Sequence, residues 1–215
     1  VYHTISNKSL ITLKQVTNKE VLNIPFWANN EIFFEIKDKD KLREKYKINR
    51  ENFLIGSFQR DSEGSDLTKP KLIKGPDIFI SAIKKLSENN KNIEVILSGN
   101  RRNYIIKELQ KNNIEYRYFK NINNTKLNEL YNMLDMYIVS SRLEGGPQAI
   151  LECGLTKTPL ISTDVGIASQ ILHTKSIFST NPQNATPDTD YAYQNTLNLA
   201  IPNGMKKFRS ELSKL

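Results

Sequence analysis

Cysteine occurs once in the 215 residues, at Cys153, and histidine twice, at His3 and His173. A lone thiol forms no internal disulfide, and two distant histidines make no Cys/His cluster at zinc spacing, so disulfide scaffolds and structural zinc sites are excluded. No apolar run approaches the roughly 18 to 20 residues that cross a bilayer. The first residues lack the basic, apolar and small-residue order of a signal peptide. No G-x-G-x-x-G follows the first strand pattern and no G-x-x-x-x-G-K-[ST] occurs anywhere, so dinucleotide oxidoreductases and P-loop enzymes have no motif behind them.

What is present is a globular composition, 38% apolar and 25% charged. The length predicts one domain with an appendage. Lysine and arginine number 31 against 23 acidic residues, a net charge of +8, which favours anionic partners such as phosphates, nucleic acid or an acidic membrane face. The chain opens on Val1 rather than Met, and is read as a fragment or processed piece.

Residues 1–52 show weak patterning and are read as an interdomain connector or a remnant of an N-terminal domain, with one short helix near Lys39 to Tyr46. From Phe53 the texture changes. Strand patterns at Phe53–Phe58, Ile93–Leu97, Ile114–Phe119, Met136–Val139, Pro159–Ser162 and Ile177–Phe178 alternate with helical patterns, predicting an α/β fold with a parallel sheet. A helix opened by Gly75, Pro76 and Asp77 ends near Asn89 and Asn90. Others run over Tyr104–Leu109, over Leu127–Leu134 with Thr125 or Asn124 as cap, and over Pro147–Leu155. Gln59 to Lys74 reads as a strand-to-helix loop too long for an ordinary turn. Residues 53–180 form the central unit, and residues 181–215 the C-terminal helices, with a break at Pro202 and Gly204 before a basic last helix from Met205.

In an open α/β sheet ligands bind beyond the carboxyl ends of the strands. There the run from Ser140 to Glu152 places a Gly-rich turn between a strand and a helix, with Glu144 and Glu152 flanking it. The amides of Gly145 and Gly146 at a helix N-terminus suit a phosphate, and adjacent glycines permit close approach. Glu144 would lie beside that anion, and Glu152, two turns into the helix, could face a sugar diol, whose hydroxyls match a carboxylate's two oxygens. By spacing alone the two carboxylates are equally well read as solvated charges.

The run SxxEGxPxxxLE at Ser141 to Glu152, followed by TPLISTDVG, resembles the signature of the retaining GT-B glycosyltransferases of family 4 type, the group 1 glycosyltransferases. The resemblance implies a Rossmann-like doubly wound parallel sheet, the C-terminal domain of a GT-B fold. It implies Glu144 against the donor sugar, Glu152 against the nucleotide ribose, and Gly145 and Gly146 against the diphosphate, with Ser141 and Gly166 also among the nucleotide-binding residues. Arg60, at the end of the first strand, and Lys74, before Gly75, correspond to the family's basic diphosphate ligands, although residues 61–73 intervene as an insertion and leave Lys69 and Lys71 as competitors. Arg60 and Lys74 would then stabilise charge gathering on the leaving diphosphate, which makes them catalytic together with Glu144. The base would sit near Gly99 to Arg101 and Lys120 to Ile122.

The same resemblance implies a retaining, metal-independent hexosyl transfer from a nucleoside diphosphate sugar to a saccharide, lipid-linked or protein acceptor. The acceptor half lies on a missing N-terminal domain, no separate cofactor is involved, and the setting is cytoplasmic with possible contact at the inner membrane face. A GT-B nucleotide-sugar epimerase and a non-catalytic α/β interaction domain with a basic surface are the rivals. Asp38-Lys39-Asp40 and Asp188-Thr189-Asp190 spell DxD but follow no hydrophobic strand, so no metal site is assigned. Tyr116, Arg117 and Tyr118 alternate as a nucleic-acid platform does, yet a strand with period-two burial explains them, and no nucleic-acid partner is assigned. Arg101 and Arg102 read as a solvated helix start, Cys153 as a buried packer and His173 as helix-end packing or solvated.

Overall fold

The computed structural model describes residues 1–65, 67–89, 92–179 and 181–214. The helix end read at Asn90, the unit boundary read at Thr180 and the last residue, Leu215, fall outside them. In chain order the elements are β1 (Tyr2–Thr4), α1 (Asn7–Lys14), β2 (Val21–Asn23), α2 (Lys39–Lys45), β3 (Phe53–Ser57), β4 (Ser62–Glu63), β5 (Lys69–Pro70), α3 (Pro76–Asn89), β6 (Ile93–Ser98), α4 (Asn103–Lys111), β7 (Glu115–Phe119), α5 (Asn124–Met133), β8 (Met136–Val139), α6 (Gln148–Thr156), β9 (Leu160–Thr163), α7 (Ala168–Ile171), β10 (Ile177–Phe178), α8 (Thr189–Leu197) and α9 (Asn203–Leu212).

Six strands form one parallel sheet in the order β10-β9-β8-β3-β6-β7. The chain runs outward from β3 through β6 to β7, then returns to the other side of β3 and continues outward through β8, β9 and β10. The direction of winding therefore reverses between β3 and β8, the doubly wound arrangement expected of a Rossmann-like half.

Period-two alternation splits the core between the two faces of this sheet. Leu54, Ile96, Tyr137 and Val139 pack with Leu130, Met133, Ile150 and Leu151 of α5 and α6. Ile55, Val95, Leu97 and Ile138 pack with Phe79 and Ile83 of α3 and Ile105 and Leu109 of α4. Burying each such side chain is worth roughly 1.5–3 kcal/mol, so these two layers outweigh any single polar contact in the molecule.

Residues 1–52 are more ordered than their weak pattern predicts. β1 and β2 pair in parallel with α1 between them. Asp135 ties α2 to the sheet by accepting from Lys39 Nζ at 2.7 Å, Arg43 at 2.5 Å and the Leu54 amide at 2.8 Å. Trp27 packs edge-on against Phe208 of α9 at 5.7 Å, and the Ala28 amide donates to the Leu199 carbonyl at 2.7 Å, so the chain's last helix lies against its first segment. A short strand pair needs only three residues of contact, too few to impose a visible period.

Other boundaries also differ. α5 is capped by Asn123, whose side chain accepts from the Lys126 amide at 2.9 Å, rather than by Asn124 or Thr125. α9 runs through Gly204 instead of starting after it. The loop after β3 contains the β4–β5 hairpin and a 3-10 turn at Leu72–Lys74. Both DxD runs are helix starts, where Asp38 and Asp188 accept from amides three residues on. Arg117 is committed to Glu94 and to the carbonyls of Tyr46 and Lys47, which leaves its strand a structural role. Among the described residues no helix is long and apolar enough to cross a membrane.

Candidate active site

Beyond the carboxyl ends of β3 and β8, where the winding reverses, lies a cleft of about 610 Å³. Gln59 and Lys74 line one side, Glu144, Gly146, Gln148 and Glu152 another, and Gly99, Asn100, Asn121 and Ile122 the end under β6 and β7. Glu144 and Glu152 therefore face one cavity. The base-side segments read from the sequence meet it through Gly99, Asn100, Asn121 and Ile122.

α6 begins at Gln148, with Pro147 as its cap residue, one position later than the Pro147 start read from the sequence. No hydrogen bond within the described residues takes up the amides of Gly145, Gly146, Gln148 or Ala149. Unpaired amides at the positive end of a helix dipole make a site for an anion. Gly146 lines the cleft and Gly145 does not. A Cβ on Gly146 would stand 3.0 Å from Ile5 Cδ1, because the segment between β1 and α1 lies over the glycine turn.

The long loop still delivers Lys74 to this cleft. Arg142 Nη1 and Nη2 grip Asp77 at 2.7 and 2.6 Å, Arg142 Nη1 reaches the Leu72 carbonyl at 2.8 Å, and the Arg142 amide donates to the Ile73 carbonyl at 2.9 Å. These bonds hold the Asp77 carboxyl below its usual range. Gly75 follows in the left-handed region, with φ of 60°, so close to β8 that a Cβ there would stand 1.8 Å from the Ser140 carbonyl oxygen. Thus placed, the Lys74 ammonium pairs with the Glu144 carboxylate. Lys69 and Lys71, the competing cations, do not line the cleft.

Ser141 is buried beneath this pair. Its Oγ lies 3.0 Å from Glu144 Oε1 and 3.2 Å from Gln59 Oε1, so its one hydroxyl proton serves either acceptor. Gln59 Nε2 donates to the Lys74 carbonyl at 2.9 Å, which closes a ring of contacts around the Glu144 turn. Gly166 supports the same turn from outside: its φ is 51°, and a Cβ would meet the Gly145 oxygen at 2.5 Å. It lines a neighbouring cavity between α1 and the 142–144 segment rather than the main cleft. Arg60 is exposed immediately after Gln59, engages no partner among the described residues and does not line the cleft.

Glu152 is half-buried and accepts from the Tyr131 hydroxyl at 2.6 Å. Burial pushes its carboxyl above the usual range, against the pull of that hydrogen bond. Burial also raises the Cys153 thiol well above normal, as suits an inert packer. Among the described residues no group of three or more His, Cys, Asp or Glu is placed to hold a metal ion.

Two cleft features escaped sequence reasoning. Gln59 is a lone amide beside the basic Arg60 and carries no motif, and Tyr131 lies inside a helix pattern that gives no sign of a polar task. Arg102 is a correction: it is fully buried, with Nε 3.2 Å from Asp61 Oδ2 and Nη2 2.9 Å from the Ser57 carbonyl, not solvated. Asp61 and Ser62 accept from the Ile105 and Tyr104 amides at 3.4 and 2.8 Å, so the insertion caps α4, which has no capping side chain of its own.

Fold and site together define a doubly wound α/β domain with a polar cleft at its topological switch point, lined by Lys74 and by two carboxylates, Glu144 and Glu152. The profile described as Glycosyl transferases group 1 matches residues 38–187, more than half of the chain, and the chain belongs to that family. No curated protein sequence matches it. Its fold is shared with the sucrose-phosphate synthase of Thermosynechococcus elongatus, at 14% identity and a TM-score of 0.78 over 99% of this chain and 57% of that one. The Anabaena protein HepE in complex with UDP-glucose is similar at 17% identity and a TM-score of 0.78, over 99% of this chain and 63% of that one. A glycosyltransferase of Rickettsia africae is similar at 18% identity and a TM-score of 0.75, over 99% and 62%. The chain thus spans 57 to 63% of the length of these three structures.

Proposed function

We propose that this chain supplies the donor-binding half of a retaining glycosyltransferase that needs no metal ion. The observation that carries the reading is the shared cleft: Glu144 and Glu152 both line it, unpaired amides at the α6 N-terminus lie between them, and Lys74 stands at Glu144. A nucleoside diphosphate sugar fills such a cleft with its diphosphate on the Gly146 and Gln148 amides, its ribose diol at Glu152 and its sugar at Glu144. The structure of HepE with UDP-glucose supports a nucleotide-sugar as the ligand.

In the proposed reaction the bond from sugar C1 to the diphosphate oxygen breaks, and the acceptor oxygen bonds to C1 on the same face. The acceptor's proton ends on the departing diphosphate. Negative charge grows on that diphosphate in the transition state, so Lys74, the helix amides and Arg60 swinging in from its exposed position stabilise the transition state more than the ground state. Ser141 and Gly166 hold the turn that carries Glu144. The acceptor hydroxyl, on a saccharide, lipid-linked or protein acceptor, comes from beyond this chain, and the basic surplus suits work at the cytoplasmic face of an anionic membrane.

The test is to supply radiolabelled nucleoside diphosphate hexoses with candidate acceptors to the full-length protein. Label in the acceptor with retained configuration is the expected result. Label only in an epimerised donor makes the protein an epimerase. No turnover, together with salt-sensitive association that survives Glu144→Ala, makes it a binding domain.

A further inference from the structure

Tyr131 and Glu152 stand on adjacent helices, α5 and α6, and meet end to end. The Tyr131 ring is 1% exposed and held on three sides, by Phe33 at 6.0 Å, Phe58 at 4.8 Å and Tyr137 at 5.4 Å between ring centres. Its backbone is anchored as well, since Thr158 Oγ1 donates to the Tyr131 carbonyl at 2.9 Å. Tyr137 is pinned in turn, its hydroxyl accepting from the Phe58 amide at 2.9 Å. The Tyr131 hydroxyl is thus fixed in space before any ligand arrives.

Glu152 is held differently. Its carboxylate has no hydrogen-bond partner besides Tyr131 among the described residues, and it borders the cleft. A carboxylate offers about four acceptor positions, so one bond to Tyr131 fixes its orientation and leaves the others for a ligand.

We infer that Tyr131 is a positioning residue for nucleotide binding, its hydroxyl orienting the Glu152 carboxyl toward the ribose diol. The inference rests on the ribose role proposed above for Glu152. The titratable groups around Glu152 are Tyr131 of α5, Tyr137 of β8 and Cys153 of α6. All three are pushed upward by burial and stay neutral at physiological pH. Tyr131 is the one among them that hydrogen-bonds the carboxylate and so opposes the rise that burial imposes on it. Removing the hydroxyl frees the carboxylate to turn and moves its titration to higher pH.

The experiment measures binding of UDP and 2′-deoxy-UDP, and of GDP and 2′-deoxy-GDP, to the chain between pH 5 and pH 8 by calorimetry. Wild type is expected to favour the ribo form by about tenfold, the loss of one hydrogen bond to a charged group. Tyr131→Phe keeps the ring and is expected to reduce that preference toward one while deoxy-form affinity changes little. The pH at which the preference collapses is expected to move upward. Replacing Tyr131 by a fluorotyrosine, a stronger donor of nearly the same shape, is expected to move it downward, which covers the case in which Tyr131→Phe does not fold. A purely structural role for Tyr131 predicts instead that both forms weaken equally and the pH midpoint stays, and that result overturns the inference. If Glu152→Gln abolishes the ribo preference but Tyr131→Phe does not, the inference fails and the ribose role stands. If Glu152→Gln leaves the preference intact, the ribose role fails and the inference with it.

Discussion

Lys74 and Glu144 lie 70 residues apart in sequence and pair across the cleft, their side chains 25% and 15% exposed. The ammonium reaches this place from the end of a long insertion, and the carboxylate from the turn before α6. Lys74→Met leaves a shielded carboxylate unpaired and removes the cation beside the helix amides. UDP or GDP affinity is expected to fall by about ten- to a hundredfold, the equivalent of one charge-assisted contact. Lys69→Met and Lys71→Met should leave it unchanged, and calorimetry on the three variants checks both statements.

Gly75 supplies a backbone that no other residue accepts in this place. A Cβ would overlap the Ser140 carbonyl at 1.8 Å, and φ is already 60°. Gly75→Ala is expected to cost about 2–4 kcal/mol and to detach Lys74 from Glu144. A lower Tm together with weakened nucleotide protection of the fold checks it.

Arg102 and Asp61 form an ion pair that is wholly out of water, with 0% and 1% of their side chains exposed. Removing one partner strands the other charge, so Asp61→Asn and Arg102→Met are each expected to cost about 3–5 kcal/mol. The double variant should recover part of that loss, because it leaves no isolated charge behind. Denaturant titrations of the three proteins give the coupling directly.

The sheet strands were legible in the sequence because Leu54, Ile55, Val95, Ile96 and Leu97 are buried on both faces, and such runs stand out against polar loops. The Glu144 to Glu152 run was visible because its motif is contiguous. The role of Asp61 and Arg102 was not, because it depends on a loop from one strand folding onto the helix after the next. The same holds for Tyr131: the register of α5 against α6 brings its hydroxyl to Glu152, and no local pattern encodes that register. β1 and β2 escaped notice because three-residue strands carry no period.

The acid limb of stability has an identifiable contributor in Asp135. Burial alone would raise its carboxyl, but bonds from Lys39, the Leu54 amide and Arg43 outweigh that and hold it low. Its stabilisation is therefore complete above the unfolded value of about 3.9 and is lost as pH falls through the lower folded value. Asp135→Asn is expected to lose about 2–3 kcal/mol at pH 7 and to flatten the decline below pH 4. Urea midpoints of both proteins measured across that range test the sign.

The most direct measurement is an NMR titration of the isotopically labelled chain with UDP, GDP and ADP, following the backbone amides. Saturating nucleoside diphosphate is predicted to shift the amides of Gly146, Gln148 and Ala149 at the start of α6, with smaller changes at Asn100 and Ile122. Shifts confined to the neighbouring cavity at Ser9, Thr12 and Gly166, with the α6 amides unmoved at saturation, would contradict a diphosphate site between the two glutamates.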